Sequence, residues 1–91
     1  MAEYKTEYRN IMESLVEMEY ESIKDSLDCC TCPVCHNDIV AYALNLLPTK
    51  YVATRTGEVY SKSYILRIQH RADITSALVK AAAVIKENPR H

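Results

Sequence analysis

All four of the chain's cysteines fall in one short run, Cys29-Cys30-Thr31-Cys32-Pro33-Val34-Cys35. Cys32 and Cys35 form a CxxC at the start of a helix. Pro33 opens that helix, where its missing N–H costs nothing. Two thiolates at this spacing, at the positive end of a helix dipole, can reach one metal ion together. Cys30 adds a third sulfur from the approach loop. Sulfur-rich tetrahedral sites suit zinc, and a closed site of this kind is structural. The fourth ligand stays open between Cys29, His91 and His36, with His70 the remaining histidine. Cys29 adjoins Cys30, and neighbouring residues rarely bind one ion well. Free buried thiols, an iron–sulfur cluster and a redox pair compete with zinc. The redox reading expects a βαβ neighbourhood, and an acidic helix precedes the motif instead.

The elements that must position these sulfurs follow from apolar spacing. Residues 3–27 read as a helix. Tyr4, Tyr8, Ile11, Leu15 and Met18 recur at steps of three and four, and Met12, Val16, Tyr20, Ile23 and Leu27 widen the stripe. Glu3, Glu7, Glu13, Glu17 and Glu21 keep the other side wet. A second helix spans 33–47, with Ile39, Val40, Ala43, Leu44 and Leu47 on its apolar face and Pro48 ending it. Residues 51–60 are the one β-rich segment and contain the single glycine, Gly57. They read as a short strand or hairpin turning at Thr56-Gly57. A third helix covers 61–88, with Ser61 as N-cap. Ile65, Ile68, Ala72, Thr75, Val79 and Ala82 step along one face, and Ile74, Leu78, Ala81 and Ile85 widen it. It is longer than a three-helix monomer needs, so a homodimer is expected.

Bulk properties bound the rest. The chain has 91 residues, 48% hydrophobic and 25% charged, which fits one domain over 1–91. A core this small is marginal, so a metal, disulfide or second subunit must support it. No apolar stretch approaches a membrane span and no signal peptide opens the chain. A cytoplasmic protein with reduced thiols is expected, which favours metal ligands over disulfides. Net charge is −1, against general DNA binding. The charge is nonetheless divided. Residues 1–47 hold nine Asp/Glu against three Lys/Arg, and residues 48–91 hold eight Lys/Arg against three Asp/Glu. An acidic helix beside a basic one would account for this, and so would an anion-binding surface. With no nucleophile–base–orienter set in view, a binding module is expected rather than an enzyme.

From Cys30 onward the chain resembles the late competence development protein family typified by ComFB. The matching stretch reads Cys30-x-Cys32-x-x-Cys35-x-x-Asp38-Ile39-Val40-Ala41, then Ala43-Leu44-Asn45, then Leu47-Pro48-x-x-Tyr51-Val52. Thr56-Gly57-Glu58-Val59-Tyr60 and Asn88-Pro89-Arg90-His91 also fit. Cys29 is an addition to the pattern, and Thr49 stands where a second proline is frequent. The resemblance implies a small bacterial cytosolic dimer with a cysteine-bound zinc, and a receptor for cyclic di-GMP or cyclic di-AMP that acts on a downstream protein. A zinc-stabilised adaptor in competence or pilus machinery, without nucleotide binding, is the alternative.

A cyclic dinucleotide asks for cations on its phosphates and flat groups against its bases. Lys50, Arg55, Arg67 and Arg71 supply the first, and Tyr51, Tyr60 and Gln69 the second along with polar contacts. Arg67 and Arg71, at i and i+4, share a helix face. Structural roles compete for the same residues. Arg67 and Arg71 could pair with first-helix glutamates, and Tyr51 or Tyr60 could cover a strand. Asp38 could hold the cysteine loop by accepting backbone N–H bonds.

The expected architecture is therefore mainly α and dimeric: three helices at about 3–27, 33–47 and 61–88, a short β segment at 51–60, and a zinc staple.

Overall fold

The computed structural model describes residues 8–52 and 56–90; of residues 52 and 56–67 it describes the backbone only. The order is β1 (Arg9–Asn10), α1 (Met12–Ile23), a 3-10 turn (Lys24–Ser26), α2 (Pro33–Leu46), β2 (Tyr51–Val52) and α3 (Thr56–Glu87). The fold is mainly helical, with three helices and a short two-stranded ribbon.

The expected first helix is shortened at its start. Residues 9–10 are strand rather than helix, and 3–7 lie outside the described residues. Asn10 explains the boundary. Its side-chain oxygen accepts from the backbone N–H of Met12 at 3.2 Å and of Lys50 at 2.7 Å. One amide thus satisfies a helix-start donor and ties the loop before β2 to it. Ile11 N–H donates to the Lys50 carbonyl at 2.8 Å, continuing the ladder.

The β segment also pairs differently. Tyr51–Val52 do not turn back on residues 56–60. They run antiparallel to β1, with Arg9 opposite Val52 and Asn10 opposite Tyr51. The Tyr8 and Tyr51 rings meet edge to face, 6.2 Å apart. Residues 56–60, read as strand, instead form the start of α3, and Ser61 is inside the helix. No proline lies between Pro48 and Pro89 to interrupt it. Gly57 falls in the first turn, where a residue leans least on intrahelical bonding, and Glu58 suits the positive helix end.

The turn from α1 into the cysteine loop passes through Asp28 at φ 52°, the left-handed region that a short polar side chain tolerates. The expected α2 is found almost intact. Its N-cap, Cys32, is extended, and Leu47 is extended at ψ 150°, as a residue before proline must be.

The core lies where the three helices meet. α1 contributes Met12, Leu15, Val16 and Tyr20; α2 contributes Ile39, Val40 and Ala43; α3 contributes Ile74, Ala77, Leu78, Ala81 and Ala82. Small residues on α3 let its backbone approach closely. Each fully buried Leu or Ile contributes about 1.5–3 kcal/mol. The face of α3 that packs inward is the one read as a mere widening of the stripe. Of the residues read as the principal stripe, Ile68, Ala72 and Val79 are exposed and Thr75 is half-buried, while Ala82 is buried in the core.

One charged side chain enters this core. Glu19 is 1% exposed and takes the Thr75 hydroxyl at 2.8 Å and the Arg71 Nε–H at 3.3 Å, both on one oxygen. Among the described residues, no helix is long and apolar enough to cross a membrane.

Candidate metal centre

The end of α1, the turn after it and the start of α2 bring three sulfurs together. The Sγ atoms of Cys30, Cys32 and Cys35 all lie within 4.8 Å of one another. A tetrahedral zinc with bonds of about 2.3 Å sets sulfurs roughly 3.8 Å apart, so the cluster needs little contraction to hold one. The local backbone builds this arrangement. With Cys32 at the N-cap, the Cys35 N–H points back and donates to the Cys32 sulfur at 3.5 Å. That bond holds the Cys32 thiol below its usual range. Cys35 faces the core, and burial, reinforced by hydrogen bonds with Cys30 and Cys32, pushes its thiol up to about 12. Cys35 therefore resists ionising beside its two neighbouring sulfurs unless a cation compensates it, which is the electrostatics of a metal site.

A second observation fits that donor set. The Tyr20 hydroxyl is buried with no hydrogen-bond partner among the described residues. Burial raises its pKa; Lys24 opposes the shift, and Cys29 and Cys35 reinforce it. Ionised, metal-bound sulfurs nearby would offset the cost of an orphaned donor.

Cys29 is not one of the three gathered sulfurs. Its side chain lines a cavity of about 520 Å³ together with Lys24, Asp28, Cys30, Thr31, Cys35, Lys86 and Pro89. His36 is engaged elsewhere: its Nε2 lies 2.8 Å from Glu17, and its ring stacks on Tyr20 with centroids 4.6 Å apart. His70 is half-buried on α3, and His91 lies outside the described residues.

Two ion pairs bring the end of α3 onto this loop, and the sequence had no signal for either pairing. Lys86 Nζ donates to Asp28 at 2.8 Å. Arg90 grips Asp38 with two bonds, at 2.7 and 2.8 Å. The reading of Asp38 as an acceptor of backbone N–H bonds is thereby corrected. The Arg90 guanidinium, arriving from another element, offers two parallel donors to this carboxylate and holds the Asp38 carboxyl below the usual range.

The residues expected to bind an anionic ligand are spread over two places. Lys50 and Tyr51 are exposed on the ribbon, and Gln69 and Arg71 are exposed on α3. Arg71 does pair with a first-helix glutamate, Glu19. The Tyr60 and Arg67 side chains, and all of Arg55, lie outside the described residues. Sequence reasoning missed Glu19, one of several glutamates in α1, and Asn10, whose role depends on Lys50.

The chain is similar to the competence protein ComFB of Bacillus subtilis (strain 168), 35% identical over 60 residues, which is 66% of this chain and 61% of that protein's length. The match thus spans less than two-thirds of that relative. It is also similar to a solved structure described as the late competence protein ComFB from Bacillus subtilis. There the TM-score is 0.80 at 28% identity, over 91% of this chain and 94% of the other. Residues 9–89 match the family described as late competence development protein ComFB, so the chain belongs to that family.

Proposed function

We propose that this chain is a receptor for a cyclic dinucleotide, stapled by zinc and working as a homodimer in the cytoplasm. The observation that carries the receptor reading is Arg71. Its side chain is 61% exposed, while its Nε is held by a carboxylate that is 1% exposed. A guanidinium anchored from below meets a phosphate or a guanine edge already oriented, which lowers the entropic cost of binding. Exposed Lys50 and Tyr51 offer a second cation and a stacking face on the ribbon, apart from Arg71 on α3. Arg67, one turn before Arg71, belongs to the same surface in this reading. The role is binding rather than catalysis, and the bound state is read by a downstream protein.

Zinc is supported by three sulfurs gathered on a short loop, with Cys29, or alternatively His91, as the fourth ligand. The dimer is supported by α3, where Ile68 and Val79 are 60% and 52% exposed on a helix of 32 residues. Calorimetry with cyclic di-GMP and cyclic di-AMP tests the receptor reading. The expected result is binding of at least one, weakened by Arg71→Ala in a protein that still folds. No heat and no thermal shift at millimolar ligand would reject it.

A second reading, an adaptor that binds only proteins, is favoured by Tyr42 and Leu46. They are exposed one turn apart on α2. It expects no nucleotide effect, and partner capture that is lost on Tyr42→Ala and kept on Arg71→Ala.

A further inference from the structure

The β1–β2 ribbon carries an aromatic surface that the core does not use. Tyr8 and Tyr51 are 67% and 61% exposed, and their rings meet edge to face at 6.2 Å. The register puts them on one side of the ribbon: Asn10 is opposite Tyr51, and Tyr8 lies two residues before Asn10. Asn10 holds this backbone, since its side-chain oxygen accepts from the N–H groups of both Met12 and Lys50. The two rings are therefore set side by side before any partner arrives. Charge here departs from that of the whole chain. Net charge is −1, but residues 8–12 and 45–52 contain Arg9 and Lys50 and no Asp or Glu. Lys24, Arg71, Lys86 and Arg90 each pair with a carboxylate. Among the described residues Arg9 and Lys50 have no such partner, and both are exposed. Strand alternation turns them to the side opposite the rings. The ribbon is only two strands, about 5 Å, across, so these long side chains reach its edges.

An unpaired base stacks on an aromatic face whatever its identity, and cations without protein partners follow a phosphate chain. A duplex hides its base faces, whereas a single strand offers them. We infer that the ribbon is a docking surface for single-stranded nucleic acid. Bases lie against Tyr8 and Tyr51, and Arg9 and Lys50 take the phosphates along the ribbon's edges. Recognition is independent of sequence, because ring faces and phosphates carry no base code. Two cations in a chain of negative net charge make the contact weak and salt-sensitive, unlike that of a general DNA binder. The inference does not rest on the cyclic-dinucleotide reading: Lys50 and Tyr51 enter both, and Arg71 enters only that one.

Fluorescence anisotropy of the full reduced chain with a labelled thymidine oligomer of about 12 nucleotides, at low and then rising salt, tests this. The single strand is expected to bind more tightly than the same oligomer annealed to its complement. Tyr8→Ala and Tyr51→Ala should each weaken binding by at least about fivefold. Tyr8→Phe and Tyr51→Phe should leave it unchanged, since the ring and not the hydroxyl stacks. The double variant Arg9→Ala/Lys50→Ala should lower the log–log salt slope by about 1.4, at about 0.7 per phosphate contact on a single strand. Arg71→Ala should bind the oligomer as wild type does. All four ribbon side chains are exposed, and circular dichroism melts check that their variants fold. No binding by the wild-type chain at low salt overturns the inference. Equal affinity for the duplex or for inorganic polyphosphate, with the tyrosine variants unaffected, also overturns it by reducing the contact to charge alone. Oligomer binding that persists when both cyclic dinucleotides fail to bind upholds it and rejects only the receptor reading.

Discussion

Replacing Arg71 by alanine should loosen the junction between α1 and α3 by an amount the structure allows one to bound. Glu19 is 1% exposed, and two of its partners, Thr75 at 2.8 Å and Arg71 at 3.3 Å, use the same oxygen. Hydrogen bonds to a charged group contribute about 1.5–3 kcal/mol, and stripping a buried ion of its partner can cost about 3–5 kcal/mol. Arg71 is mostly in solvent, its bond is long, and water screens the pair. The expected loss is therefore about 1–2 kcal/mol. Thr75→Val, which removes the shorter bond and keeps the shape, should cost a similar amount, about 1–2 kcal/mol. Because both donors serve one oxygen, the double variant should depart from additivity by at least about 0.5 kcal/mol. Glu19→Gln should cost less in the Arg71→Ala background than in wild type, since the pairing with Arg71 is then already lost. Urea denaturation at fixed reductant and metal loading is the assay, because bound metal adds stability by mass action. For a chain of this size each kcal/mol moves the melting temperature by about 4–8 °C. If both single variants fall within about 0.3 kcal/mol of wild type and add simply, Glu19 does not join these helices as described.

Leu78, fully buried among α1 and α2 side chains, should cost about 2–5 kcal/mol as Leu78→Ala. A melting curve close to wild type would remove it from the core. Asn10→Ala should cost about 0.5–2 kcal/mol and speed amide exchange at Met12 and Lys50, the two N–H groups it accepts. The Asp38 carboxyl is held below its usual value, chiefly by the hydrogen bond from Arg90. A depressed native value means that the pair's contribution is fully present above the ordinary carboxylate value of about 3.9 and is lost as pH falls through the lower native one. Stability of Asp38→Asn should therefore fall less steeply than wild type below about pH 4; parallel acid-denaturation curves would contradict this. Chelation of the reduced protein should release one metal per chain and lower the melting temperature, as read by a metal-sensitive dye and circular dichroism together.

Parts of the architecture were legible because their causes are local. α2 lies between Pro33 and Pro48, and a proline acts on its own φ and on the residue before it. The cysteine spacing announces a sulfur cluster because a helix start brings positions 32 and 35 together in any fold. The acidic positions Glu13, Glu17 and Glu21 are exposed as their spacing implied.

Other features depend on residues distant in the chain. The strand at Tyr51–Val52 was readable as β, but its partner lies about forty residues away at Arg9–Asn10. No local pattern can express that choice between a hairpin and a remote edge. Residues 56–60 carry β-favouring Thr, Val and Tyr, and a continuous 32-residue helix overrides them. Periodicity found the apolar faces of α3 but could not rank them, since both are compatible with a helix and only the positions of α1 and α2 decide which is covered.

The sequence by itself determined which residues could act: clustered thiols, a proline-bounded helix beside them, an acidic half and a basic half. Tertiary structure alone decided the pairings, Glu19 with Arg71 and Thr75, Asp38 with Arg90, Asp28 with Lys86. The physical reason is that side-chain type and helical spacing are properties of neighbouring residues. A hydrogen bond spanning more than fifty positions exists only after three helices have packed around one core.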